Sequence, residues 1–161
     1  MATAISFDRS DAIRSSHLGL GDLMRQIANR KLWVGHAGDL RDLRAIMDMG
    51  LEAVVELADS EPFATLPREL VRCRFPISDC GENPAWLVRL AAEIVATFLR
   101  DQVPTLVCCA AGMSRSICVA AAGIALAEKL PLMEAVNLVT ETGPVDVSAA
   151  FLAQVQQVTP P

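Results

Sequence analysis

The chain has 161 residues, 52% of them hydrophobic and 20% charged, which suits one compact domain with a single core and excludes a disordered or fibrous chain. Its formal charge of -5, without a basic run, excludes a general nucleic-acid binder. The longest apolar run, Ile117 to Ala127, is too short to span a bilayer, and the N-terminus lacks an apolar stretch of signal-peptide length. Five cysteines without framework spacing fit a reducing compartment, so a cytoplasmic protein without membrane association is expected.

In chain order, residues 1–30 read as a polar leader, partly helical or irregular, with a short helix expected over 22–30. Residues 31–157 carry the regular pattern, and 158–161 form a tail. Lys31 to Val34 reads as a strand. Asp39 to Met49 is periodic in Leu40, Leu43, Ile46 and Met47, and Gly50 stands where a helix C-terminal glycine belongs. Leu51 to Leu57 and Val71 to Ile77 are further strands, the second ending in the turn-rich run Ser78 to Pro84. An amphipathic helix is expected from Ala85 to Arg100, with Leu87, Leu90, Ile94, Val95 and Phe98 on its apolar stripe.

Thr105 to Cys108 is a short apolar strand after Pro104, and Ser114 to Lys129 a helix buried nearly all round. Pro131 opens another helix, and Ser148 caps a last one running through Val155. Strands alternating with helices predict an α/β domain: a central, mostly parallel sheet flanked by helices, with one loop between a central strand and a buried helix.

That loop holds the chemistry. Cys109 ends a strand, and Arg115 opens a helix after Ala110, Ala111, Gly112, Met113 and Ser114. Five residues can curl so that their N–H groups converge beside the positive end of the helix dipole, which makes an anion site. Gly112 gives the curl its backbone freedom. Arg115 adds a planar fork for two phosphate oxygens, and the same donors would stabilise a Cys109 thiolate. Such a thiolate can displace the alcohol of a phosphate monoester. Asp79, on a loop at the sheet edge that Cys109 shares, is the candidate acid for the leaving oxygen, with Glu82 second. The Ser116 hydroxyl is placed to donate to the departing sulfur. The competing structural reading makes Cys109 a core thiol and Arg115 a helix charge, but arginine suits a helix N-terminus poorly unless an anion sits there.

These residues resemble the dual-specificity branch of the cysteine-dependent protein tyrosine phosphatases. The family's loop of His-Cys, two residues, Gly, two residues, Arg and Ser or Thr is met by Cys109, Gly112, Arg115 and Ser116. Trp33-Val34-Gly35 with Ala37 and Asp39 is similar to its opening strand and turn, and Phe151-Leu152-Ala153-Gln154 to its closing helix. The resemblance spans Lys31 to Gln157. It implies a phosphatase acting through a phosphocysteine on phosphoprotein or another small phosphomonoester, with no cofactor or metal. Three features depart from the pattern. Cys108 replaces the loop-ordering histidine, Gly143 and Ser148 stand where the family carries Arg and Asn, and the Ser78 to Pro84 loop is short.

Other groups are assigned structural roles. His36, Asp39 and Asp42 read as turn and cap residues, and Cys73 and Cys80 as ordinary thiols. Cys108 and Cys109, adjacent on a strand, should face opposite sides of the sheet, which argues against a metal pair. Ala110, Ala111 and Met113 are uncharged, so a singly phosphorylated substrate is expected; Arg68, Arg72 and Arg74 have no place from sequence. A phosphate-binding module without turnover and a sulfurtransferase are the alternative functions.

Overall fold

A computed structural model describes residues 24–160 of the chain. The leader up to Leu23, including Ser15, Ser16 and His17, lies outside the described residues, as does Pro161. The sheet has five strands: β1 (Arg25–Gln26), β2 (Leu32–His36), β3 (Ala53–Glu56), β4 (Val71–Arg74) and β5 (Thr105–Cys109), in the order β1-β2-β5-β3-β4. Only β1 runs antiparallel; β2, β5, β3 and β4 are mutually parallel. This is the expected mostly parallel sheet, and its C-terminal ends share one edge.

The sheet begins earlier than the sequence suggests. The helix expected over 22–30 is instead β1 followed by a turn at 28–30. The reason is Ile27, 1% exposed, which the core needs next to Leu32; its N–H donates to the Leu32 carbonyl at 2.9 Å, as a hairpin requires. The helix expected over 39–49 is also broken. His36 and Asp39 cap a 3-10 turn, Ala37–Arg41, in reciprocal fashion, and Asp42 then caps α1, Leu43–Asp48, by accepting from the Ala45 N–H at 3.0 Å. Gly50 closes it with φ +67.

Helices α2 (Ala85–Arg100), α3 (Arg115–Glu128), α4 (Leu132–Thr140) and α5 (Ala149–Val158) start where the sequence places them. Ser148 caps α5 by accepting from the Phe151 N–H at 3.2 Å. The buried stripe of α2 differs from the expected one. It is Val88, Ala91, Ala92, Val95, Ala96 and Leu99, while Leu90 is 40% exposed. Small residues occupy the seam because α2 packs closely on α3: a Cβ at Gly123 would lie 2.3 Å from the Val95 side chain. The larger Leu87, Ile94 and Phe98 flank that seam.

Two apolar clusters cover the two faces of the sheet. One gathers Val34, Val55, Val107 and Cys109 with α2, α3, α4 and α5; the other gathers Trp33, Val54, Leu106 and Cys108 with Leu40 and Ile46. Cys108 and Cys109 therefore face opposite sides, as strand alternation demands. Among the described residues no helix is long and apolar enough to cross a membrane.

Candidate active site

β5 delivers Cys109 as its last residue, opposite His36 of β2. The backbone then curls through 110–114 into α3. Gly112 forms the crest of this loop. Its φ is +70, and a Cβ there would come within 2.8 Å of the Gly35 carbonyl group, so both conformation and space require glycine. The curl returns the Gly112 N–H to the Cys109 sulfur at 3.3 Å, and the Ser116 hydroxyl lies 3.4 Å from the same atom. Cys109 is 2% exposed, at the floor of the loop. Ser114 precedes α3 but does not cap it: its hydroxyl turns to Asp79. The first-turn amides of a buried helix are thereby left without a side-chain acceptor, the condition in which an anion satisfies them.

Arg115, on the first turn of α3, is buried and held from two other strand ends. Its Nη1 donates to the Ile77 carbonyl at 2.8 Å and to Asp59 Oδ1 at 3.0 Å. Its Nε and Nη2 have no protein partner among the described residues, so the edge that suits a pair of phosphate oxygens remains available. Burial disfavours the Asp59 carboxylate, but its own backbone amide, Arg115 and Ser60 outweigh that and hold it below its ordinary value.

Asp79 stands on the other side of the loop. Its Oδ1 accepts from Ser114 Oγ at 2.7 Å, and its carbonyl accepts from Ser148 Oγ, also at 2.7 Å. The Ser148 N–H donates back to Ser114 Oγ at 2.9 Å, so the 78–84 loop, the 110–114 loop and the start of α5 form one network. Asn83 closes the acid loop on itself, accepting from the Ser78 N–H at 2.7 Å, and its Nδ2 donates to Gln154 Oε1 on α5 at 2.9 Å. Glu82 is exposed further along this loop. The structure therefore brings Asp79, Ser114, Ser116, Arg115 and Cys109 together, and joins Asp79 rather than Glu82 to the phosphate loop. Ala110 and Met113 are half-buried on the loop, and Ala111 is exposed.

The remaining cysteines differ from Cys109 in what surrounds them. Burial first, then the charges of Glu56, Cys109 and Asp39, pushes the Cys108 thiol well above its ordinary value. Burial, then Asp79 and Cys109, pushes Cys118 up to about 12. Both stay protonated thiols. His36 caps the turn after β2, with Nδ1 accepting from the Gly38 N–H at 3.0 Å and Nε2 3.2 Å from Asp39. No group of three or more His, Cys, Asp or Glu side chains suited to a metal occurs among the described residues.

Sequence reasoning gave no role at the site to Asp59, Asn83, Gln154 or Arg25. Asp59 had a readable signal, a carboxylate three residues past the parallel strand β3 and so at the ligand edge of the sheet. The other three act through contacts 71 to 119 residues apart in sequence, which no local pattern reveals.

Solved structures share this architecture. Human DUSP28 superposes with a TM-score of 0.74 at 20% identity, over 84% of this chain and 91% of that one. A mouse protein described as a dual specificity phosphatase, complexed with zinc tungstate, gives a TM-score of 0.78 at 21% identity and covers 92% of each chain. The human tyrosine phosphatase-like serine/threonine/tyrosine-interacting protein gives 0.71 at 20% identity, over 83% of this chain and 93% of that one. No family model matches the sequence, and no curated protein does. The chain has the fold of the dual-specificity phosphatases.

Proposed function

We propose that this protein is a cysteine-dependent phosphatase that hydrolyses phosphomonoesters, with phosphotyrosine, phosphoserine or phosphothreonine of proteins as the substrate class. The observation that carries this reading is the convergence on one sulfur. The Gly112 amide and the Ser116 hydroxyl lie within 3.4 Å of Cys109 Sγ, beneath the uncapped first turn of α3.

The phosphate would sit on the loop amides with two oxygens on the Nε and Nη2 edge of Arg115. The Cys109 thiolate attacks phosphorus, an S–P bond forms, and the P–O bond to the leaving group breaks. Protonated Asp79 supplies the proton that the departing oxygen takes. Water, deprotonated by the resulting carboxylate, then attacks the phosphocysteine; the S–P bond breaks, and Ser116 Oγ donates to the sulfur as it leaves. The hold of Ser114 on the Asp79 side chain and of Ser148 on its carbonyl supports this role.

The test is turnover of aryl and alkyl phosphates by wild type, Cys109→Ser and Asp79→Asn. Cys109→Ser should lose roughly 10⁴-fold or more, as removal of a nucleophile does, while still binding inorganic phosphate. Asp79→Asn should slow alkyl esters by about 10²- to 10⁴-fold and activated aryl esters far less. Wild-type binding of phosphate without turnover would leave the phosphate-binding module, and activity on thiosulfate alone would indicate a sulfurtransferase.

A further inference from the structure

Arg25 sits on the edge strand β1, with β2 between it and β5, yet it reaches the phosphate loop. Its Nη2 donates to the Gly112 carbonyl at 2.8 Å, and its Nη1 to the Pro144 carbonyl at 2.8 Å. Gly112 is the crest of the loop, the residue whose N–H meets the Cys109 sulfur. Pro144 opens the segment that supports the loop from outside, where the Asp146 N–H donates to the Met113 carbonyl at 3.0 Å. The guanidinium thus ties the crest to its support.

Position 143 is built for this contact. A Cβ on Gly143 would lie 2.8 Å from Arg25 Nη1 and 3.1 Å from Arg25 Cδ, so the arginine fills the space that a side chain would take, and the φ of +154 independently favours glycine. Arg25 and Cys109 also feel each other electrostatically. Burial lowers the Arg25 pKa, and the negative charge on Cys109 acts in the opposite sense. Cys108, beside the nucleophile, is turned into the opposite apolar cluster, and its thiol is a weak donor.

We propose that Arg25 is the positioning residue of the catalytic loop: bridging Gly112 and Pro144, it holds the Gly112 amide on the Cys109 sulfur and sets a fixed positive charge beside the thiolate. Gly143 is its structural partner, small so that the guanidinium can lie flat against the support segment. The inference rests on Cys109 being the reactive thiolate of the function proposed above.

Alkylation of the native protein by iodoacetamide, followed residue by residue with mass spectrometry, reads this without any turnover. Cys80 is exposed and serves as the internal reference, and Cys118 is buried and reports loss of fold. Arg25→Met and Gly143→Ala should each slow alkylation at Cys109 roughly tenfold, the size expected from a lost charge-assisted hydrogen bond. Cys80 should keep its rate, and Cys118 should stay unmodified. Arg25→Lys, keeping the charge but only one of the two contacts, should fall in between. In the Arg25→Met background Gly143→Ala should slow alkylation less than it does in the wild type, since only the backbone strain at position 143 then remains. Arg25→Met reacting at the wild-type rate, or two effects that multiply in the double variant, would overturn the proposal. If Arg25→Met does not fold, Arg25→Lys with and without Gly143→Ala gives the same comparison. A wild type that hydrolyses no phosphate ester yet shows these rates would sink the phosphatase reading and leave the role of Arg25 standing.

Discussion

Arg115 offers five N–H donors and is given partners among the described residues only for Nη1, which divides its side chain into an anchored edge and a working edge. Arg115→Lys should therefore cost roughly 10²- to 10³-fold in kcat/KM for an aryl phosphate, because an ammonium cannot be anchored on Asp59 and still span two oxygens. Asp59 supplies the anchor and also a pH signature. Its carboxyl is held below the ordinary range, so it stabilises the fold above the unfolded-chain value of about 4, and the contribution is lost as pH falls through the lower folded value. The side chain is 38% exposed, which keeps the effect small. Asp59→Asn should lower the melting temperature by about 1–3 °C at neutral pH, and the gap should close as the solution is acidified well below the unfolded-chain value of about 4. A gap of constant size throughout that acidification would mean that packing, not the carboxylate, sets it.

At the scale of elements, α5 does more than cover the sheet. Ser148 accepts from the Phe151 N–H to start the helix and donates to the Asp79 carbonyl to hold the acid loop. Ser148→Ala should cost about 1 kcal/mol as a lost cap, a fall of about 2–4 °C in melting temperature for a chain of this size. It should also slow alkyl phosphates several-fold more than aryl ones; calorimetry and a leaving-group series check the two halves, and equal slowing of both esters would detach Ser148 from the acid. The cap itself was legible in the sequence, because serine before an apolar run is a local signal. So were the starts of α2, α3 and α4, each set by proline or by a glycine-containing loop, and so were Cys109, Gly112 and Arg115, which a single strand-to-helix junction places together. The double duty of Ser148 was not legible, since Asp79 lies 69 residues away. The stripe on α2 was misread for a related reason. Periodicity ranks residues by hydrophobicity, whereas the α2–α3 seam selects them by size, and alanines took the places that Leu90 and Phe98 were expected to fill. Likewise β1 was hidden because two residues of strand leave no period to detect.

For the molecule as a whole, all four parallel strands end at one edge, and the loops there decide what charge a substrate can carry. The net charge is -5, so a polyanion approaches against the average field unless local cations offset it. Four arginines near this edge are already engaged. Arg115 binds Asp59, and Arg25 holds two carbonyls. Arg72 pairs with Glu56 through Nε and Nη2 and donates to the Ala64 carbonyl at 2.9 Å. Arg74 stacks on the exposed Phe63 ring, 4.1 Å from its centroid. The loop residues Ala110, Ala111 and Met113 add no charge. One phosphate is thus matched by the working edge of Arg115 and the loop amides, and none of these four arginines, as placed, is free to meet a second or third. Phosphotyrosine peptides should therefore be turned over at least about tenfold faster, in kcat/KM, than a trisphosphate inositide, each missing charge-assisted contact being worth roughly that factor. Arg74→Ala should leave the ratio unchanged. An inositide turned over faster than any phosphopeptide, with Arg74→Ala abolishing the difference, would show that the stacked arginine swings from Phe63 into the site, and the preference for single phosphates would be wrong.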